Sequence, residues 1–192
     1  MKENINLIEK LRKHKSQIIF WAPRIVTLVL IVSLTNSCRI IKIKENERGV
    51  RFERFNGGLN LNTIYGTGLH LFPIWDKGII YNVDTITQEE HLYLSTIDDI
   101  RYEINLVLKY KLVPDRIGYI ESSIGKNYYD LVIIQEVENA FSNHLTKQTS
   151  NFVSAVDIDK FQSDILETVS KPIRKKYIKM ISIKINQISK LE

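Results

Sequence analysis

A single cysteine, Cys38, among 192 residues rules out any disulfide within the chain. The redox state of the surrounding compartment therefore leaves no trace in the sequence. The four histidines, His14, His70, His91 and His144, stand singly, and none has a histidine or cysteine partner at metal-ligand spacing. No Gly-x-Ser-x-Gly segment presents a nucleophile. Gly66-Thr67-Gly68 lacks the further glycine, the helix and the Lys-Ser/Thr of a phosphate cradle, so it reads as a turn that uses glycine for its backbone freedom. The adjacent carboxylates Asp98-Asp99 read as a solvated turn between strands rather than a metal site. No repeat, heptad array or low-complexity tract is visible. On its residues alone the chain shows no catalytic group, no cofactor site and no metal site, and it reads as a tethered interaction domain.

A long hydrophobic run is also missing. The uncharged stretch Ile25–Leu34 is ten residues long, whereas a spanning helix needs about 20 and a signal h-region about 7–15. The stretch follows a basic start: Lys2, Lys10, Arg12, Lys13, Lys15 and Arg24 against Glu3 and Glu9. Two membrane readings follow. Extending the run back through Ile18, Ile19, Phe20 and Trp21 gives a signal anchor over residues 18–37, with Pro23 near the helix start and Arg24 able to snorkel. Alternatively, Leu34-Thr35-Asn36-Ser37-Cys38 is a relaxed lipobox, and Cys38 becomes the lipidated first residue of the mature chain. A bacterial lipoprotein carries several acyl chains, enough for stable anchoring where one would be marginal. In both readings the basic flank stays cytoplasmic and the body is extracytoplasmic. The expected division is residues 1–38 as the basic and hydrophobic targeting segment and residues 39–192 as one globular domain.

Of the 27 Lys and Arg residues, six lie in the first 38 positions, against two of the 22 acids, so the body carries a net excess of one basic residue. This balance excludes the basic footprint of a nucleic-acid binder. The densest basic cluster of the body, Lys171, Arg174, Lys175, Lys176 and Lys179, reads as a solvated helix end that complements the helix dipole.

The body begins as strands. Val50 and Phe52 alternate with Arg51 and Glu53, and Asn56-Gly57-Gly58 is a hairpin signal. Gly66 and Gly68 open a turn into a short strand closed by Pro73, a turn expected to tolerate no Cβ at either glycine. Ile79–Asp84 is a further strand. From Ile100 to Leu112, even-numbered apolar residues alternate with mostly polar odd-numbered ones, the period of a strand with one face on a core. Helices follow. Pro114 suits the first turn of a short helix that ends before Gly125. Leu131, Ile134, Val137, Phe141 and Leu145 form one apolar stripe, and Ile158, Phe161, Ile165 and Val169 a second, with Pro172 expected to kink or reset that helix. Ile181, Ile183 and Ile185 alternate with polar residues as a last strand. The order predicts an α+β domain: an antiparallel-rich sheet, packed helices and a final strand, preceded by the membrane segment. Leu106 and Phe141 are expected in its core.

Taken in order, these segments resemble the SPFH (Band 7) family of stomatins, prohibitins and flotillins. Glu47-Arg48-Gly49-Val50 resembles the opening of that domain. Gly66 to Pro73 resembles its Gly-x-Gly-x-His turn, short strand and closing proline, with Pro73 one residue early. Tyr81-Asn82-Val83-Asp84-Thr85 resembles the next strand, with Ile86 where the family has an arginine. Ser95 to Asp99 and the strand after it resemble the family's Thr-x-Asp turn. Gly125 with Tyr128, the helix through Leu145, the helix from Asp157 to Tyr177 and the strand Met180–Ile188 complete the series. The resemblance covers nearly all of residues 40–189 and is nearest to prohibitins. It implies a non-enzymatic membrane scaffold whose partners are membrane lipid, homo- or hetero-oligomers with longer SPFH-family subunits, and a membrane-bound AAA+ protease. The family continues into a long coiled coil, whereas this chain stops at Glu192. Without heptads, a monomer, a weak oligomer or a subunit recruited by a longer paralogue is expected. The alternative reading is an envelope lipoprotein, lipidated at Cys38, that binds a ligand or partner through its sheet.

Overall fold

The computed structural model describes Trp21, residues 23–30, Val32, residues 38–155 and residues 157–191. Three antiparallel sheets account for all eight strands found among the described residues. The largest is ordered β6-β7-β8: β6 (Ile86–Ser95), β7 (Arg101–Leu112) and β8 (Ile178–Lys190). At its centre, β7 buries Tyr102, Ile104, Leu106, Leu108, Tyr110 and Leu112 on one face. This is the alternation the sequence shows, starting one residue later than expected.

β8 keeps its alternation only in pieces. Its pairing with β7 shifts between Lys109 and Tyr110 and again between Asn105 and Leu106. Each extra residue in one strand reverses which face the next side chain takes. Met180 and Ile183 are therefore both buried while Ile181, expected on the inner face, is exposed. The first strand pair departs for a different reason. β2 (Glu47–Glu53) pairs with β3 (Gly58–Tyr65), whose extra residues bulge opposite Arg51, while β2 keeps an unbroken register with its other neighbour. Val50 and Phe52 therefore share one face, on which Val50 is buried and Phe52, near the strand end, is exposed. Glu53 is buried on the other face, where Asn56 and Asn60 donate to its carboxylate (2.7 and 3.4 Å). The turn between these strands uses Gly57 and Gly58 at φ of +90° and +84°, a left-handed conformation glycine adopts without steric cost.

Four helices build the second layer. After a single 3-10 turn at Pro114–Arg116 comes α2 (Ile117–Ser123), which packs on β3 and β2. A π-helical segment, Tyr129–Ile134, leads directly into α3 (Gln135–Leu145). π geometry places more residues in each turn than α geometry. The predicted stripe therefore holds for Val137, Phe141 and Leu145 but fails before them: Val132 and Ile133 are buried and Leu131 is exposed. After α4 (Ser150–Ala155), α5 (Ile158–Lys175) buries Phe161, Ile165, Val169 and Ile173 against β8 and α3. Ile158, expected on that stripe, is exposed in the first turn. Asp157 caps α5 by accepting from the Asp159 and Lys160 N–H groups (3.1 and 3.3 Å). The helix runs through Pro172 and ends at Lys175, so the proline does not reset it as expected. Phe141 and Phe161 meet edge to face at 5.7 Å in a core shared with Val50, Ile79 and Tyr81 of the second sheet.

That second sheet is ordered β3-β2-β5, with β5 at Lys77–Asn82. The third is a two-stranded ribbon of β1 (Cys38–Ile43) and β4 (Gly68–Pro73). Ahead of it, residues 23–30 are helical (α1), with Ile25, Leu28, Val29 and Leu30 exposed. Among the described residues no helix is long and apolar enough to cross a membrane. The rest of the expected anchor over residues 18–37 lies outside them.

Candidate functional site

The β1–β4 ribbon has two different faces. Antiparallel pairing sets Cys38 opposite Pro73, Ile40 opposite Leu71 and Lys42 opposite Leu69, and side chains of paired residues share a face. The inner face carries Ile41, Ile43, His70 and Phe72, of which Ile43 and Phe72 are buried. It lies over β2 and β5 at Gly49 and Gly78. A Cβ on Gly49 would come within 2.6 Å of Ile43, and one on Gly78 within 2.3 Å of Ile41 and 3.1 Å of Phe72. The two glycines form a flat seat for the ribbon.

The outer face is open and, apart from the exposed Lys42 at its glycine-turn end, apolar. Ile40, Leu69 and Leu71 are 66, 71 and 69 % exposed, and Cys38 is exposed beside them. The patch continues past Pro73 into the β4–β5 turn, where Ile74 and Trp75 are exposed, and to Phe55 of the β2–β3 turn, 77 % exposed. The Phe55 and Trp75 rings lie 6.2 Å apart. Isolated exposed apolar residues are ordinary, but a contiguous patch marks a surface that meets something apolar.

A buried carboxylate holds the two turns together. Asp76 accepts from Arg51 Nε (2.7 Å) and from the Arg54 N–H (3.1 Å), while its own N–H donates to the Pro73 carbonyl (3.0 Å). Arg51 Nη2 lies 2.5 Å from the same carboxylate. Trp75 and Phe55 are thus displayed on a braced platform.

The expected turn residues sit at the other end of the ribbon. Gly68 adopts φ of +137°, which an L side chain rarely adopts, whereas Gly66 has ordinary φ with open space where a Cβ would point. The demand for glycine therefore falls on Gly68. His70 donates from Nε2 to the Gly66 carbonyl (2.8 Å), which closes the turn, and Tyr65 packs on the edges of both His70 and Phe72. Cys38 and Pro73 come together at the far end, and the glycine turn is separate from them.

The remaining polar groups have structural partners. Asp98 accepts from Thr96 Oγ1 (2.5 Å) and from the Ser150 N–H (3.0 and 3.2 Å), tying the β6–β7 turn to the start of α4. The bonds from Ser150 and Thr96 hold its carboxyl well below the usual range. Four tyrosines cluster where the two larger sheets meet. Tyr81 donates to Glu121 and Tyr129 to Glu90 (2.6 Å), and Tyr110 packs between Tyr128 and Tyr129. Burial pushes all four phenols up, and the carboxylates push Tyr81 and Tyr129 further. Among the described residues no group of three His, Cys, Asp or Glu side chains is placed to hold a metal ion.

The patch escapes sequence reading because Phe55, Ile74 and Trp75 lie in turns, where no period reveals a face. The usable signal is the unbroken apolar run Leu71-Phe72-Pro73-Ile74-Trp75, unusual for a segment that leaves a strand.

Apart from α1 and the first three residues of β1, the sheets and helices just described fall within a stretch, residues 41–190, that matches the family model of the SPFH domain / Band 7 family. The chain belongs to this family. A search of the curated proteins returns no match. SPFH proteins as a family are membrane-associated, oligomer-forming and generally non-enzymatic scaffolds. In this SPFH domain the first matched residue, Ile41, lies within β1, so the apolar ribbon belongs to the domain itself.

Proposed function

We propose that this chain is a membrane-anchored, prohibitin-like scaffold protein whose SPFH domain rests on the bilayer through the outer face of the β1–β4 ribbon and the Ile74-Trp75 and Phe55 turns. The observation that carries the reading is the continuity of the apolar surface with Cys38, where the basic and hydrophobic leader joins the domain. A leader in the membrane delivers this end of the domain to the lipid. Tryptophan is the residue most at home in the headgroup layer, and here it is braced beside a phenylalanine. The leader's basic flank sets the body on the extracytoplasmic side, in a bacterial inner membrane. In that position the scaffold organises membrane protein assemblies, joins longer SPFH-family subunits or restrains a membrane AAA+ protease.

The experiment is depth-dependent quenching of Trp75. The chain has two tryptophans, so Trp21→Phe leaves Trp75 as the sole reporter in reconstituted vesicles. Quenching by brominated lipid is expected. Quenching by aqueous acrylamide alone would show the turn facing water and end the proposal.

The lipoprotein reading keeps an observation of its own. Cys38 shares the ribbon's outer face with Ile40 and Leu71, so acyl chains on its sulfur would enter the surface a helical anchor would reach. Intact mass of the membrane-fraction protein, with Cys38→Ser beside it, separates the two. A chain starting at Cys38 with acyl mass, lost in the variant, identifies a lipoprotein and moves the body to an envelope surface. A full-length unmodified chain identifies the helical anchor.

A further inference from the structure

β6 forms an edge of the β6-β7-β8 sheet. At its end, the Thr96 N–H turns inward to the Ile100 carbonyl (3.0 Å) and the Ile97 N–H turns outward to the Gln148 carbonyl (3.0 Å). Main-chain groups alternate sides along a strand paired on one edge. The even residues of β6 therefore bond to β7, and Thr87, Glu89, His91, Tyr93 and Ser95 turn their N–H and C=O groups away from the sheet. Among the described residues nothing pairs with those backbone groups. The opposite edge of the same sheet is treated differently. There the Ile185 N–H of β8 donates to Gln162 Oε1 of α5 (2.6 Å), and α5 packs along the strand. Edges left open are commonly protected by lysine, proline, a bulge or an inward-pointing charge. The sequence of β6, ITQEEHLYLS, has no lysine or proline and its register with β7 is unbroken; its one inward-facing charge, Glu90, is taken up within the domain by the Tyr129 hydroxyl (2.6 Å).

We infer that β6 pairs antiparallel with β6 of a second copy of this chain, about a two-fold axis at His91. On that register Glu89 lies opposite the second copy's Tyr93 and Thr87 opposite its Ser95, so all five outward-turned residues are engaged and no carboxylates face one another. Moving the axis to Glu90 would oppose two glutamates and leave Ser95 unpaired. Moving it to Leu92 would set Thr87 against Ile97, whose N–H is already taken by Gln148. At the axis each imidazole is held by its own Glu103 (Nδ1 to Oε1, 3.0 Å), so the two histidines meet beside two carboxylates. Tyr93, 66 % exposed, supplies an aromatic contact of the kind enriched at interfaces. On the inner side, a cavity of about 300 Å³ runs beside the edge, lined by Leu92, Tyr93 and Leu94 of β6 and by Glu138, Asn139 and Ser142 of α3. The second copy's Gln88, opposite Leu94, brings its amide to those polar groups. The pairing adds a protein contact on a surface distinct from the apolar ribbon and stands independently of the membrane reading.

The test uses the full chain in detergent, in a Cys38→Ser background. Hydrogen-bonded residues in an antiparallel pair have Cα atoms about 5.5 Å apart, within disulfide reach. His91→Cys is expected to give a covalent dimer on mild oxidation. Thr87→Cys, whose counterpart lies roughly 27 Å along the strand at about 3.4 Å per residue, is expected to give none. The Cys38→Ser parent is expected to have twice the chain mass by light scattering, and Tyr93→Pro half of that, because the lost N–H faces outward and the β7 ladder stays intact. Tyr93→Lys serves the same purpose if the proline variant unfolds. A monomeric parent, equal crosslinking at positions 87 and 91, or an unchanged mass in both Tyr93 variants would overturn the inference. Lipid quenching at Trp75 reports separately, so either result can fail without the other.

Discussion

Replacing Gly78 by alanine tests how the ribbon is seated. The added methyl would lie 2.3 Å from Ile41 Cδ1 and 3.1 and 3.4 Å from two Phe72 ring atoms, where carbon contacts settle at about 3.5–4.0 Å. Ile41 Cδ1 is the end of a flexible chain and can swing. The Phe72 ring is held between Tyr65 (4.7 Å) and the Arg51 guanidinium (5.5 Å), so part of the strain reaches the ribbon backbone. Overpacking of this kind costs about 1–3 kcal/mol, and the lost glycine freedom in the unfolded chain returns about 0.4–1 kcal/mol. The expected net loss is about 1–2 kcal/mol. Ile41→Val removes the clashing carbon and should cost about 0.5–1.5 kcal/mol alone. In the double variant the two costs should fall short of their sum by about 1 kcal/mol. Chemical denaturation of the four proteins in detergent reads this cycle. Additivity within about 0.3–0.5 kcal/mol would mean that the ribbon is not packed on Gly78 as described.

Phe141→Ala should cost about 3–5 kcal/mol, because the ring is fully buried against Phe161 and its loss leaves a cavity; a midpoint shift in urea measures it. The four clustered tyrosines have phenols raised in the folded state, so the stability they contribute is present below the ordinary phenol value of about 10 and is lost as pH rises above it. Absorbance at 295 nm should show these four of the nine tyrosines ionising only together with unfolding; free titration of all nine before the far-UV signal changes would contradict this. Asp98 is shifted the opposite way, so its contribution is present above about pH 4 and is lost on acidification below it. Asp98→Asn should therefore flatten the acid limb of the stability profile and leave the region near pH 7 lower but level.

β7 was readable because nothing interrupts its period: from Tyr102 to Leu112 every even side chain is buried. β8 was readable as a strand but not in phase, since the residue that shifts a register depends on the partner strand and carries no mark of its own. The π-helical turn at Tyr129–Ile134 misled the helical stripe for the same reason, a local change of period. The candidate site was harder still. Cys38 and Pro73 are adjacent only through strand pairing across an intervening hairpin, and Asp76 becomes a brace only once Arg51 and Arg54 are folded beside it. The glycine turn was visible, yet which of Gly66 and Gly68 carries the backbone demand depends on φ, which composition does not encode.

β8 also sets the timing of assembly. The central strand of the main sheet receives its second neighbour from far along the chain, with Leu112 paired to Ile178 and Tyr102 to Lys190. During synthesis at about 5–20 residues per second, β7 waits several seconds with one edge bare. Helices α3 and α5 must meanwhile collapse on an incomplete face. Such late, non-local pairing slows folding and exposes the nascent chain to capture by other strands. The thirteen-residue β8 thus acts as a latch: until it pairs, the sheet presents a vacant strand position beside its central strand β7.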